Sequence, residues 1–263
     1  VFLLAHPREN LVLLDLLEQH GRPPQPGEAR AELLVAHRGA RVVGVASLRP
    51  TLCMAAGVGA ELAGGLLPYC ETLATGLVKS EAAGVGLLWS RLLAAGRRAL
   101  VDRLETSHVL EAPTAPSRRP PREARLRPAE RSDLDALVFA ARASLREEQR
   151  PDPYEGDPKG FRRWVGGRVS NALVAEVDRR VVFVAYADVR RNEGWLIQGV
   201  YTWPEYRRHG LAAAGVSSLC SRAFSKGAEH VQLAVVDGNR AGEALYEGLG
   251  FRPFAKLRTI LFA

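Results

Sequence analysis

Apolar positions recur along the chain with two periods, and the periods divide it into helices and strands. Over Glu9–His20 they stand at Leu11, Leu13, Leu14, Leu16 and Leu17, which puts one face of a helix on a core, and Gly21 closes it. Arg22–Glu28, with Pro23, Pro24 and Pro26, reads as a loop. Ala31–His37 and Arg41–Leu48 are strand patterns on either side of Arg38-Gly39-Ala40, the signature of a hairpin. Leu73–Lys79 predicts a further strand, Val85–Arg97 a helix and His108–Glu111 a short strand. Cys53–Leu67 is rich in Gly and Ala and carries no period strong enough to assign.

Between Glu111 and Arg122 stand Pro113, Pro116, Pro120 and Pro121, which rule out helix and central strand and predict an extended, exposed linker. Three regions follow: a domain over 1–111, a linker over 112–122 and a domain over 123–263. The second domain opens with a short strand, Ala124–Arg127. Ser132 or Asp133 is placed to cap a helix over Leu134–Gln149, whose apolar face is Leu134, Leu137, Val138, Ala141 and Leu145. Arg150–Gly160 is a long Pro/Gly loop, and Phe161–Val169 a second helical patch. Ala172–Val177, Val181–Val189 and Trp195–Thr202 predict an antiparallel meander, the first two strands turning at Asp178-Arg179-Arg180. A helix over Leu211–Phe224 then crosses to a strand at His230–Val236, which makes that strand parallel to its predecessor. Arg240–Leu249 is a helix stopped by Gly250, and Ala255–Leu261 a last strand.

Composition narrows the setting. With 263 residues, 47% hydrophobic, 25% charged and no long apolar run, the chain reads as one or two soluble globular domains without a membrane span. Val1–Ala5 is apolar but too short for a signal peptide, and the missing initiator Met leads us to expect that the chain starts inside its gene product. Cys53, Cys70 and Cys220 are scattered and read as reduced core thiols of a cytoplasmic protein; neither they nor the six His have metal-ligand spacing. Residues 1–111 carry 11 basic and 11 acidic side chains, so the net charge of +7 comes from the 25 basic and 18 acidic residues that follow. That excess suits a phosphate-rich cofactor, a polyanion, or plain solubility.

One stretch concentrates the chemistry. Tyr206-Arg207-Arg208-His209-Gly210-Leu211-Ala212 follows the strand Trp195–Thr202 and opens the helix at Leu211. The first N–H groups of a helix have no partner inside it, and the dipole makes that end positive, so such a turn is an anion site. Gly210 and the small Ala212 let an oxyanion approach the backbone, and Arg207 and Arg208 add charge beside it. The plainer alternative is a strand–turn–helix corner with solvated arginines. Gly57-Val58-Gly59 and Gly84-Val85-Gly86 lack the third glycine and the acidic partner of a dinucleotide fingerprint.

Arg207, Gly210 and Ala212 resemble the pyrophosphate loop of the Gcn5-related N-acetyltransferases: Gln or Arg, two residues, Gly, one residue, Gly or Ala. Asp237-Gly238-Asn239-Arg240-Ala241, Ala244-Leu245-Tyr246-Glu247 and Leu249-Gly250-Phe251 resemble that family's second signature, and the likeness covers about residues 123–263. Leu145–Gln149, Pro151–Asp157 and Ile197–Val200, together with Glu9–Glu18, are similar to a bacterial subgroup that carries an extra domain ahead of the acetyltransferase domain. The resemblance implies an α/β fold with a mixed sheet: a C-terminal acyl-CoA N-acyltransferase fold preceded by a smaller, degenerate copy of itself. That copy would wall the acceptor cleft or mediate dimerisation, which leaves monomer and homodimer both open.

Acetyl-CoA is the cosubstrate so implied. Its diphosphate would lie on Arg207, Arg208, His209, Gly210, Leu211 and Ala212, and its pantetheine arm on backbone groups of Val200, Tyr201 and Thr202 and on Asn239. Tyr246 would meet the sulfur. The chemistry agrees, because a positioned phenol, with a pKa of about 10, can donate to a developing thiolate whose thiol has a pKa near 8.5. An attacking amine must lose a proton, and many family members use a Glu on the strand leading into the loop. Here that strand has no acid, and Gln198 cannot accept a proton. Glu147 and Glu148 are candidates for base or acceptor recognition; a solvated helix end and deprotonation through water stay open beside them. The expected acceptor is a primary amine on a small molecule, peptide or protein, with no membrane partner. A nucleic acid is not expected, since the arginines are not interleaved with aromatics and no base-reading motif is present. The alternative is a non-catalytic acyl-CoA-binding or sensing module, which the missing strand Glu supports.

Overall fold

The computed structural model describes residues 1–22, 31–49, 51–111 and 118–263. They form two compact units: Val1–His108 with Ala234–Asn239 and Pro253–Ala263, and Val109–Leu233 with Arg240–Arg252. Most of the proline loop expected at Arg22–Glu28 and the first part of the expected linker, up to residue 117, lie outside the described residues.

In the first unit, helix α1 (Leu11–His20) buries Leu11, Leu13, Leu14 and Leu16, while Leu17, expected on the same face, is half exposed. Asn10 is buried ahead of it and bonded at both ends of its amide: its Nδ2 donates to the Leu3 carbonyl and its Oδ1 accepts from the Ala56 amide. Strands β1 (Glu32–Arg38) and β2 (Arg41–Arg49) form the expected hairpin, and β2 also pairs with β3 (Cys53–Met54). The stretch without a period holds β3 and helix α2 (Ala60–Gly65), and α3 (Leu67–Glu71) begins at its last residue. Then come β4 (Gly76–Glu81) and α4 (Ala82–Ala94).

Strand β5 runs over Ala99–Glu111, where the apolar pattern predicts only His108–Glu111. Asp102, Arg103 and Glu105 interrupt the pattern, yet Glu105 is buried. Its carboxylate accepts from Lys79 Nζ at 2.6 Å, Arg103 Nε at 3.1 Å and Thr259 Oγ1 at 2.6 Å. Burial by itself would raise its pKa; the charges of Lys79 and Arg103 and the hydrogen bonds from Lys79 and Thr259 outweigh it and hold the group at about 2.

The second unit contains β6 (Arg125–Pro128), α5 (Leu134–Glu147), α6 (Pro158–Gly167), β7 (Ala172–Val177), β8 (Arg180–Arg190), β9 (Trp195–Thr202), α7 (Leu211–Ser225), the 230–233 part of β10 (His230–Val236) and α8 (Arg240–Glu247). The strands lie in the order β10-β9-β8-β7-β6; β6 to β9 are antiparallel, and β10 is parallel to β9, as expected for a helical crossover. Neither Ser132 nor Asp133 caps α5 through its side chain. A 3-10 turn, Arg131–Asp133, precedes the helix, and the Asp133 carboxylate turns back to the Glu130 amide at 2.8 Å and to Arg127. Leu137 and Val138 of α5 and Phe161 and Val165 of α6 pack in one core with Val174, Val184, Tyr186 and Tyr201.

Helix α7 packs on β7, β8 and β9. Its approach depends on Gly215: a Cβ there would run into the ring of Phe183, which is fully buried and has nowhere to move. Gly215→Ala is therefore expected to overpack this contact at a cost of about 1–3 kcal/mol, read as a lower thermal midpoint. In the first unit, β11 (Arg252–Phe262) pairs antiparallel with β4, from Leu257 opposite Glu81 to Phe262 opposite Gly76. Ile260 and Phe262 are buried there against Val78, Leu88 and Trp89.

Cys53, Cys70 and Cys220 are free and buried, and burial pushes the Cys220 thiol, on the core side of α7, up to about 12. Among the described residues no helix is long and apolar enough to cross a membrane, and no cluster of His, Cys, Asp and Glu could hold a metal ion.

Candidate active site

The corner that precedes α7 is curled by two left-handed residues, Arg208 at φ 67° and Gly210 at φ 80°. Gly210 is the N-cap of α7, and no side chain caps it. The first internal bond of the helix runs from the Ala214 amide to the Gly210 carbonyl, which leaves the amides of Leu211, Ala212 and Ala213 ahead of it without a helical partner. Gly210, Arg208 and His209 are exposed, Ala212 is partly buried, and Leu211 is turned into the core. A fifteen-residue helix thus begins with amides that have no partner inside it, at the positive end of its dipole.

Strand β9 leads into this corner with an irregular ladder. On its β8 side, Tyr186 pairs with Gln198 and Val184 with Tyr201, so Gly199 and Val200 together oppose Ala185 in a bulge. Gly199 is left-handed at φ 57°, and a Cβ on it would sit 2.9 Å from the Tyr186 ring, so glycine fits on both counts. On the other side, the parallel ladder with β10 pairs Val231 with Trp195 and Gln232 with Leu196 and goes no further. Val200, Tyr201 and Thr202 lie beyond that point, on a length of strand that carries main-chain groups an extended ligand could pair with.

Tyr246 lies on α8, which packs against α7. The residue is buried, with its ring edge-on to Phe251. Burial is the sole influence on its phenol, with no charge or hydrogen bond against it, and pushes the pKa well above the ordinary 10.0. Asn239 is exposed in the turn after β10, where its amide donates to the Val236 carbonyl.

The two candidate carboxylates part company. Glu147, in the last turn of α5, reaches the end of β9: it accepts from the Tyr201 hydroxyl at 3.2 Å and from Arg207 through both oxygens, at 2.7 and 2.9 Å. Arg207 also donates from Nε to the Thr202 carbonyl at 3.0 Å and lies 5.5 Å from the Tyr201 ring centre. Burial first, and then the Glu147 charge, raise the Tyr201 pKa. Glu148 turns the other way, to Ser144 and Arg150. The following loop is pinned by Asp152, which accepts from Arg142 at 2.7 Å and from the Tyr154 amide at 3.1 Å, while Arg142 stacks 4.0 Å from the Tyr154 ring centre.

Sequence reasoning missed the aromatic wall beside Glu147. Trp203 stacks on Phe139 with centroids 5.6 Å apart and meets the Tyr201 ring edge-on at 5.5 Å. The signal was two aromatics, Tyr201 and Trp203, alternating at the end of the strand that feeds the loop; Phe139, half exposed on α5, gave none.

A mixed sheet whose parallel ladder stops early, running into an uncapped helix and flanked by a tyrosine-bearing helix, defines the acyl-CoA N-acyltransferase fold. Residues 137–251 match the Acetyltransferase (GNAT) family. Solved structures share the fold along nearly the whole chain. A Drosophila protein aligns over 99% of this chain and 89% of its own at 15% identity, with a TM-score of 0.72. A GCN5-related N-acetyltransferase from Kribbella flavida aligns over 96% and 95% at 16% identity and 0.62. A tandem GNAT protein from the clavulanic acid biosynthesis pathway aligns over 98% and 94% at 15% identity and 0.52. No curated protein sequence matches this chain.

Proposed function

We propose that the protein is an acetyl-CoA-dependent N-acetyltransferase that passes the acetyl group to a primary amine by direct attack on the thioester. The observation that carries this reading is the uncapped N-terminus of α7 behind the left-handed pair Arg208 and Gly210, at the end of a strand whose ladder to β10 has already stopped. The loop Arg207–Ala212 binds the diphosphate, where bare amides and the dipole favour negative charge. The pantetheine arm pairs along Val200–Thr202. Tyr246 donates to the departing sulfur, and its neutral phenol is the form burial favours. Glu147 receives the proton of the amine or anchors it; Glu148, held by Ser144 and Arg150, has no part. No covalent acyl-enzyme is needed, and Cys220 is buried in α7 with its thiol pushed upward.

A panel of primary amines incubated with acetyl-CoA tests the reading through thiol release. Turnover with at least one amine is expected. A second reading, an acyl-CoA sensor without chemistry, draws on the absence of any acid on β9. Tight coenzyme A binding with no thiol released above the rate of solvent hydrolysis, across peptides, polyamines and amino acids, would establish the sensor instead.

A further inference from the structure

Arg207 belongs to the loop assigned to the diphosphate, yet its guanidinium is engaged elsewhere. It fills a cradle made of the Glu147 carboxylate, the Thr202 carbonyl and the face of Tyr201. A carboxylate, a carbonyl and a π-face are three groups that recognise a cation. The pair is open to water on both sides, with 41% of the Arg207 side chain and 47% of the Glu147 side chain exposed. Such a contact is easily exchanged. A diphosphate at the N-terminus of α7 offers Arg207 more charge than one carboxylate does, along with the bidentate geometry that arginine favours. Glu147 keeps its second partner, the Tyr201 hydroxyl, whether Arg207 is present or not.

We propose that Arg207 is a positioning residue that covers Glu147 and is drawn off it by a bound diphosphate, so that the carboxylate and the Tyr201 face are vacated for a cationic acceptor. The inference rests on the proposed function and adds to it a substrate class and a coupling. The acceptor arrives as an ammonium, which replaces the guanidinium at the Glu147 carboxylate and the Tyr201 face. Binding at the two ends of the site is then linked, because one side chain serves both.

Carboxylate footprinting tests this. Carbodiimide and glycine ethyl ester label free carboxylates faster than paired ones, and mass spectrometry resolves Glu147 from Glu148, which serves as the reference on the same peptide. The arms are the ligand-free protein, the protein with inorganic pyrophosphate and the protein with coenzyme A, with occupancy checked by calorimetry. Pyrophosphate or coenzyme A is expected to raise Glu147 labelling about two- to fivefold, the occupancy an exposed ion pair sustains, and to leave Glu148 unchanged. Arg207→Gln is expected to label at the higher rate without any ligand, and Arg207→Lys, which keeps the charge, to restore protection. Ligand bound by calorimetry with Glu147 labelling unchanged or lower in both arms overturns the coupling and leaves the acetyltransferase reading standing. No binding of coenzyme A at all overturns both.

Discussion

Tyr246→Phe is expected to lower turnover by about 10²- to 10⁴-fold, the range for a lost proton donor, while coenzyme A binds as before. The substitution removes a single hydroxyl from a buried ring and keeps the edge-on contact with Phe251, so the fold and the diphosphate contacts should survive. On the proposed mechanism the effect would fall on the step in which negative charge builds on sulfur. A thiol ionises near pH 8.5, and burial places this phenol above its ordinary value of 10.0, so complete transfer to the thiolate runs uphill. On the proposed mechanism the hydroxyl would therefore act as a hydrogen-bond donor that stabilises the developing charge. Because the phenol stays neutral to high pH, its ionisation should produce no fall in the wild-type rate below about pH 10. The check is a pair of pH–rate profiles with calorimetric coenzyme A affinities; equal turnover in the two proteins would remove Tyr246 from the mechanism.

Glu105→Gln is the substitution expected to cost most in stability. The carboxylate is held at about 2 against an ordinary 4.5, a shift that corresponds to roughly 3 kcal/mol at 1.36 kcal/mol per unit. Its folded-state pKa is depressed, so the contribution is present in full above about pH 4.5 and is lost as pH falls through that value towards 2. The Gln variant should therefore be less stable than wild type near neutrality by roughly 3 kcal/mol, with the gap closing in acid. Urea unfolding at a series of pH values, followed for the first unit, reads this directly. A constant gap from neutral to acidic pH would show that the cluster acts through packing and not through charge.

The loop Arg207–Ala212, the meander before it and the parallel strand after it were legible because their signals are local. A turn glycine, an alternation of apolar residues and a helical crossover length each reside within one stretch of chain. Strand β5 was legible only in its last few residues, since Asp102, Arg103 and Glu105 read as solvent-facing until Lys79 and Thr259, distant in sequence, are brought against Glu105. The same limit applied at the site. Adjacent in sequence, Glu147 and Glu148 are indistinguishable as residues, and only the end of α5 lying beside β9 gives one of them Tyr201 and Arg207 as partners. Arg207 matched a motif by its position, while its contacts followed from a helix sixty residues away. Ser132 and Asp133 were sound capping candidates by type; a 3-10 turn ahead of α5 redirected Asp133.

Strand β11 brings a consequence for biogenesis. It supplies Ile260 and Phe262 to a core whose other members, Val78, Leu88 and Trp89, are synthesised far earlier. As the chain leaves the ribosome, the first unit must wait with that apolar seam open until all of the second unit has been made. Transiently exposed apolar surface of this kind favours aggregation. Fragments cut after His108 inherit the same open seam permanently, and expressing the two halves as separate genes would produce an N-terminal piece prone to precipitate.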